Sequence, residues 1–248
     1  MFNPKTDRLK EISEKFPDRV TELEEIFDKQ TNVYIDYANV RPWATKLGWH
    51  VDLKRLKQFL DSFDTVKSVK FYNGTFDDDI KSKEFMDEIK KCGFDVKTKP
   101  VKKMKLSIDV SSIASDSTAI IKDFIRKPLM QKMDLETIEF LNSKLKKLNE
   151  QGIRFIEDLK CNFDVEIGRD MLMDYKDNGI ENFVLWSGDS DFADPLQQLI
   201  DDGKKTILFA TARRVSTELN DLKEKGLFIY DIQKIKNFIC WKKEINLS

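Results

Sequence analysis

Val184-Leu185-Trp186-Ser187-Gly188-Asp189-Ser190-Asp191-Phe192 is an apolar run that ends in Ser-Gly and two acids. The run reads as a buried strand, and an open α/β sheet keeps its ligand crevice just beyond the carboxyl ends of its strands. Two acids placed there repel each other, so a shared cation is expected between them. A second run of the same kind lies far upstream, Val33-Tyr34-Ile35-Asp36-Tyr37-Ala38-Asn39. Two apolar strands that both end in acid point to a divalent-metal site.

Outward from these runs, strand and helix patterns alternate. Residues 32–36, 66–72, 94–98, 182–186, 206–210 and 227–230 read as strands, with amphipathic helical patterns between most of them. That alternation predicts an α/β fold with a mainly parallel central sheet and right-handed crossovers. Asp52 is placed to cap a helix that carries Leu53, Leu56, Phe59 and Leu60. Residues 1–30 read as an N-terminal helical extension broken at Pro17. Residues 31–248 read as one α/β domain, interrupted at about 100–152 by a Ser-rich stretch and helical patterns, a helical insertion. Ile153 to Leu159 reads as a short strand or a loop.

Composition narrows the chemistry. The 248 residues are enough to bury a sizeable core. No apolar run approaches the roughly 20 residues that span a bilayer, so no membrane partner is expected. The N-terminus lacks the apolar segment of a secretory signal, which makes the cytoplasm the expected compartment. Three widely spaced cysteines and a single histidine, His50, argue against zinc, a disulfide framework and histidine-based triads. A metal here is expected to be a hard cation on oxygen ligands. The net charge is −1, so a nucleic-acid partner would need a local basic patch. Lys97, Lys99, Lys102, Lys103 and Lys105 form such a cluster, or a solvated loop.

In a parallel sheet, strand C-termini and helix N-termini share one edge. Asp36, Asp189, Asp191 and Asp164, which starts the helix around Phe163-Asp164-Val165-Glu166-Ile167, can therefore face one crevice. Several carboxylates without His or Cys suit Mg²⁺ or Mn²⁺. Asp170 sits about 120° around that helix from Asp164 and reads as a lateral or supporting ligand. Each acid has a plainer reading as well: Asp191 as a helix N-cap, Asp189 as a turn residue after Gly188. Asn39 either holds its turn or orients Asp36, and Ser187 either contacts a phosphate or caps the turn.

Ile35-Asp36-Tyr37-Ala38-Asn39, then Lys160-Cys161-Asn162-Phe163-Asp164-Val165-Glu166-Ile167 with Asp170, then Ser187-Gly188-Asp189-Ser190-Asp191-Phe192 resemble the three motifs of the NYN domain. This is the LabA-like branch of the PIN-like metal-dependent nucleases. Asp201-Asp202-Gly203-Lys204-Lys205, with Ser216 and Leu219, is similar to the family's closing segment. The resemblance implies a PIN-like three-layer α/β/α fold and a Mg²⁺ or Mn²⁺ cofactor. It implies an endoribonuclease in which Asp36, Asp164, Asp189 and Asp191 hold the metal and a metal-activated water attacks the RNA phosphodiester. In that setting Lys160, Arg169, Arg213 and Arg214 are candidate phosphate contacts. Trp43, Trp49 and Tyr37 are candidates either to stack on unpaired bases or to pack as a hydrophobic patch. The expected partner is single-stranded RNA, and a homo-oligomer is left open. The rival reading is a non-catalytic RNA-binding or regulatory module that keeps the acidic site. A haloacid-dehalogenase-like phosphatase ranks lower, because Ala38 occupies the place of its second acid.

Overall fold

Six parallel strands lie side by side in a computed structural model that describes residues 1–76, 79–177, 179–211 and 214–241. In chain order the strands of the protein are β1 (Thr31–Asp36), β2 (Val66–Thr75), β3 (Asp95–Pro100), β4 (Lys102–Ser107), β5 (Phe155–Lys160), β6 (Asn182–Trp186), β7 (Lys205–Ala210) and β8 (Phe228–Asp231). The large sheet runs β3-β2-β1-β6-β7-β8, flanked by helices, as an α/β fold of this type requires. Every residue of β1 and β6 is buried. Strands covered on both faces carry continuous apolar runs instead of alternation, which is why these two stood out in the sequence.

The strand order reverses between β1 and β6. From β1 the chain crosses to β2 on one side, and from β6 to β7 on the other, so the two exit loops part and leave a crevice at the sheet's carboxyl edge. Register completes the placement: Ile35 pairs with Trp186, which sets Asp36 beside Ser187.

The chain folds as two compact units, one formed by Met1–Pro100 with Cys161–Ser248 and the other by Val101–Lys160. In the first, helices Asp7–Lys15 and Pro17–Ile26 add Leu9, Leu23 and Ile26 to the same core cluster as Tyr34, Phe183 and Trp186. Asp52 caps helix Leu53–Leu60 through the Arg55 amide at 3.0 Å, as expected. In the second unit, β4 pairs antiparallel with β5, and helix Leu135–Glu150 lies in the connection between them. The expectation of a purely helical insertion therefore needs correcting. Met104 and Leu106 alternate with lysines, a strand pattern that the charge cluster hides. The first of the helical patterns in the insertion, over Ile120–Met133, is instead a 3-10 turn, Ile121–Asp123, and a single turn, Lys127–Met130, with Pro128 in its first turn, where proline is tolerated.

Candidate functional site

Asp36 closes β1 and is 6% exposed. Its Oδ2 accepts from Ser187 Oγ at 3.1 Å and its Oδ1 from the Asn39 amide at 3.4 Å. Asn39 reaches further, because its Oδ1 accepts the Gly188 amide at 3.0 Å. The turn after β1 and the turn after β6 are thereby fastened to each other. Ser187 is fully buried, and its Oγ also accepts the Asp189 amide at 3.3 Å. The structure thus gives Ser187 the turn and Asp36 as partners, and a fully buried hydroxyl presents nothing to a phosphate.

Gly188 carries the third tie. The Ser216 amide donates to the Gly188 carbonyl, and a Cβ on Gly188 would lie 1.7 Å from the Arg214 carbonyl oxygen. Backbone meets backbone there, so no side-chain rotation relieves the clash. Gly188→Ala is expected to destabilise the protein by about 1–3 kcal/mol, the usual range for overpacking, and to spread the two turns apart. Chemical denaturation together with metal titration checks this; an alanine variant with wild-type stability would refute the close approach.

Asp189 leads into the 3-10 turn Ser190–Phe192, and its Oδ1 accepts the Asp191 amide at 3.4 Å. Asp189 is therefore the cap, and the expectation that Asp191 caps this segment is corrected: the turn starts one residue earlier than the helix that the sequence suggested. Asp191 sits exposed on the turn. Asp164 opens helix Asp164–Asp177, where Asn162 Oδ1 accepts the Asp164 amide at 2.8 Å. Asp164 Oδ2 is buried and has no hydrogen-bond partner.

The electrostatics show these groups in each other's company. Burial, then the neighbouring Asp189 charge, raises the Asp36 carboxyl to about 6, against hydrogen bonds from Asn39 and Ser187 that pull it down. Burial, then the Asp191 and Asp189 carboxylates, raises Asp164 to about 6 as well, against the Asn162 bond. A raised carboxyl pKa means that the folded state holds its proton longer than the unfolded chain does, so stability from this source falls as pH rises through about 4 to 6. In chelator, Asp36→Asn is accordingly expected to gain stability relative to wild type as pH rises from 4 to 7. Urea midpoints across that range test it, and a constant difference would count against a desolvated Asp36.

Among the described residues, no three Asp, Glu, His or Cys side chains are gathered tightly enough to enclose a metal by themselves. The donor set nonetheless fits a hard divalent cation that keeps much of its water and leans on one or two carboxylates. All donors are oxygens, Asp164 Oδ2 is orphaned, and the Asp189 and Asp191 charges help to raise Asp36 and Asp164. The neighbouring cations are committed elsewhere. Lys99 pairs with Glu166 at 2.6 Å and lies over the Phe163 ring, and Arg169 pairs with Asp170 at 2.9 Å.

The remaining candidates distribute unevenly. Asp170 faces Tyr72, whose hydroxyl donates to it at 2.9 Å, and not the four acids. Trp43 is 2% exposed and Trp49 6%, so both rings belong to the core and neither offers a face to a base, which corrects the stacking expectation in favour of packing. Tyr37 is half-buried and stacks on Phe85. Arg214 is exposed. Arg213 and the Lys160 side chain lie outside the described residues.

One network went unread in the sequence. Asp174, on the Asp164 helix, receives Lys70 Nζ at 2.7 Å, Asn32 Nδ2 at 2.7 Å and Tyr34 Oη at 2.5 Å. Burial pushes the Asp174 carboxyl up, but the bonds from Lys70, Tyr34 and Asn32 outweigh it and hold the group below the usual carboxylate range. The period-2 spacing of Asn32 and Tyr34 was the available signal, polar groups on one face of a buried strand that need a partner.

The model of the NYN domain family matches residues 30–125 and 127–229. The chain is also similar to a protein of unknown function from Vibrio parahaemolyticus RIMD 2210633, known from a crystal structure. The two are 16% identical with a TM-score of 0.51 over 86% of this chain and 96% of that one, a likeness of fold. Curated proteins give no match.

Proposed function

The chain belongs to the NYN domain family of PIN-like nucleases, and from that premise we propose that it is a Mg²⁺- or Mn²⁺-dependent endoribonuclease acting on single-stranded RNA. The observation that supports this reading is that Asp189 acts on Asp36, and Asp189 and Asp191 on Asp164, beside the reversal point of the sheet, with Asp36 buried and none of the four ion-paired to a lysine or arginine among the described residues. Asp36 and Asp189 would hold the ion, with Asp164 and Asp191 on the opposite wall. A bound divalent ion supplies Lewis-acid polarisation of the phosphodiester and a more acidic water.

The chain's own residues supply order. Ser187 and Asn39 hold the Asp36 carboxylate in one orientation, and Asn39 and Gly188 keep the two turns in register. Arg214, whose backbone carbonyl meets that junction, would be the first candidate for a substrate phosphate, and Arg169 would have to leave Asp170 to be the second. This reading keeps the protein in the cytoplasm; among the described residues no helix is long and apolar enough to cross a membrane.

The test is cleavage of end-labelled unstructured RNA in Mg²⁺ or Mn²⁺ and in excess chelator. Cleavage is expected with either ion and should fall to background in chelator. Binding of RNA without cleavage across several divalent ions would instead make the protein a binding module.

A further inference from the structure

A cleft of about 620 Å³ runs between helix Asp164–Asp177 and helix Ala193–Asp201. Its volume lies within the 300–1,000 Å³ of small-molecule sites, which are mostly apolar with a few polar groups at fixed places. One wall is a helical stripe, Val165, Gly168 and Leu172, at i, i+3 and i+7. Val165 is 81% exposed, unusual for a valine in the first turn beside a charged site. Pro195 faces Gly168 from the other helix, its Cγ 3.6 Å from where a Cβ would stand, so the two helices pack at ordinary contact distance along this wall.

The cleft is continuous with the acidic site, since Asp164 and Asp191 line its mouth. Among the described residues its lining has no lysine or arginine, so those residues do not suit a phosphate. Asp194 and Gln198 stand on its rim, both exposed. Asp164 and Asp191 turn toward the ion site, and Asp194, in the first turn of the second helix, is the carboxylate set aside for a ligand in the cleft.

We infer that this cleft is a base-recognition subsite that takes a guanine of the RNA next to the scissile phosphate. The inference rests on the nuclease reading for the identity of the polymer. A nucleobase is flat, largely apolar and uncharged, which matches the Val165–Leu172 wall. Guanine differs from the other bases in presenting two adjacent donors, its N1–H and N2–H₂, on one edge. A carboxylate has two acceptor oxygens and binds such a pair bidentately. Adenine and cytosine offer one exocyclic amine next to an acceptor, which a carboxylate repels. Uracil offers one N–H between two acceptors.

Two measurements on the full chain test this. Each of the four ribonucleosides is titrated against protein carrying ¹³C-labelled valine and leucine methyls. Guanosine is expected to shift Val165 and Leu172 and to bind at least fivefold more tightly than the others. Cleavage sites in a random-sequence RNA pool are expected to be enriched in guanosine at one flanking position. Asp194→Ala should bring guanosine within twofold of the other nucleosides and remove the enrichment, and Val165→Ser should weaken all four. No methyl shift with any nucleoside, equal binding of all four, or a guanosine preference that survives Asp194→Ala would overturn the inference. Methyl shifts without RNA cleavage would leave the subsite standing and remove the nuclease reading. Cleavage without base bias or methyl shifts would do the reverse.

Discussion

Asp189→Asn is expected to fold as wild type does and to lose about 10³-fold in divalent-dependent RNA cleavage, roughly 4 kcal/mol of transition-state stabilisation. Asp189 is the carboxylate whose charge reaches both Asp36 and Asp164, so it links the two walls of the site. Asparagine keeps the shape and is as good a cap as aspartate, so the Asp191 amide retains its partner and the 3-10 turn survives. What disappears is the charge on which a divalent ion depends. Asp36→Asn should behave alike in activity, because an amide oxygen still accepts from Ser187. Single-turnover cleavage at saturating Mn²⁺, with circular dichroism as the control for folding, makes the comparison. Cleavage retained within tenfold in both variants would show that the acids are not the metal platform, and the nuclease reading would go with them.

The second large effect is on stability. Asp174→Ala is expected to cost about 3–5 kcal/mol, the range for removing one partner of a buried ion pair. Lys70 and Asp174 are 12% and 7% exposed at their side chains, so Lys70 would be left charged in a poorly solvated place. Asn32 and Tyr34 would lose an acceptor in the same step. For a chain of this size each kcal/mol moves the midpoint by about 2–4 °C, so a loss near 10 °C is expected. Replacing the pair together, Asp174→Leu with Lys70→Met, should recover part of the loss, because it removes the unpaired Lys70 charge while Asn32 and Tyr34 still lack their acceptor. A loss below about 1 kcal/mol for the single variant would mean that the network is solvated. The network also anchors the helix that carries Asp164, so metal affinity should fall in Asp174→Ala and return in part in the double variant.

Much of the fold was readable from residue type and spacing. Val33-Tyr34-Ile35 and Phe183-Val184-Leu185-Trp186 are continuous apolar runs, and only a strand covered on both faces makes use of such a run. Asp52 before an amphipathic stretch announced its helix in the same local way. Where the reading failed, a nonlocal contact had decided the outcome. Trp43 looks available in a loop, but its ring is claimed by the core. Asp191 and Asp189 compete for one capping role, and the backbone path after Gly188 awarded it to Asp189. The β4–β5 pairing joins residues some fifty positions apart, and a lysine-rich strand hides its alternation until a partner is beside it.

By itself, then, the sequence determined the parallel α/β class, the two strands that end in acid and the oxygen-only donor set, because these follow from local periodicity and side-chain chemistry. The tertiary structure decided which of those donors meet. The pairing of β1 with β6 brings Asp36 to Ser187 and Asn39 to Gly188, and the pairing of β6 with β7 brings Gly188 to Arg214. The first two contacts span some 150 positions along the chain, a distance over which no local propensity acts and only the packing of the whole sheet can choose a partner.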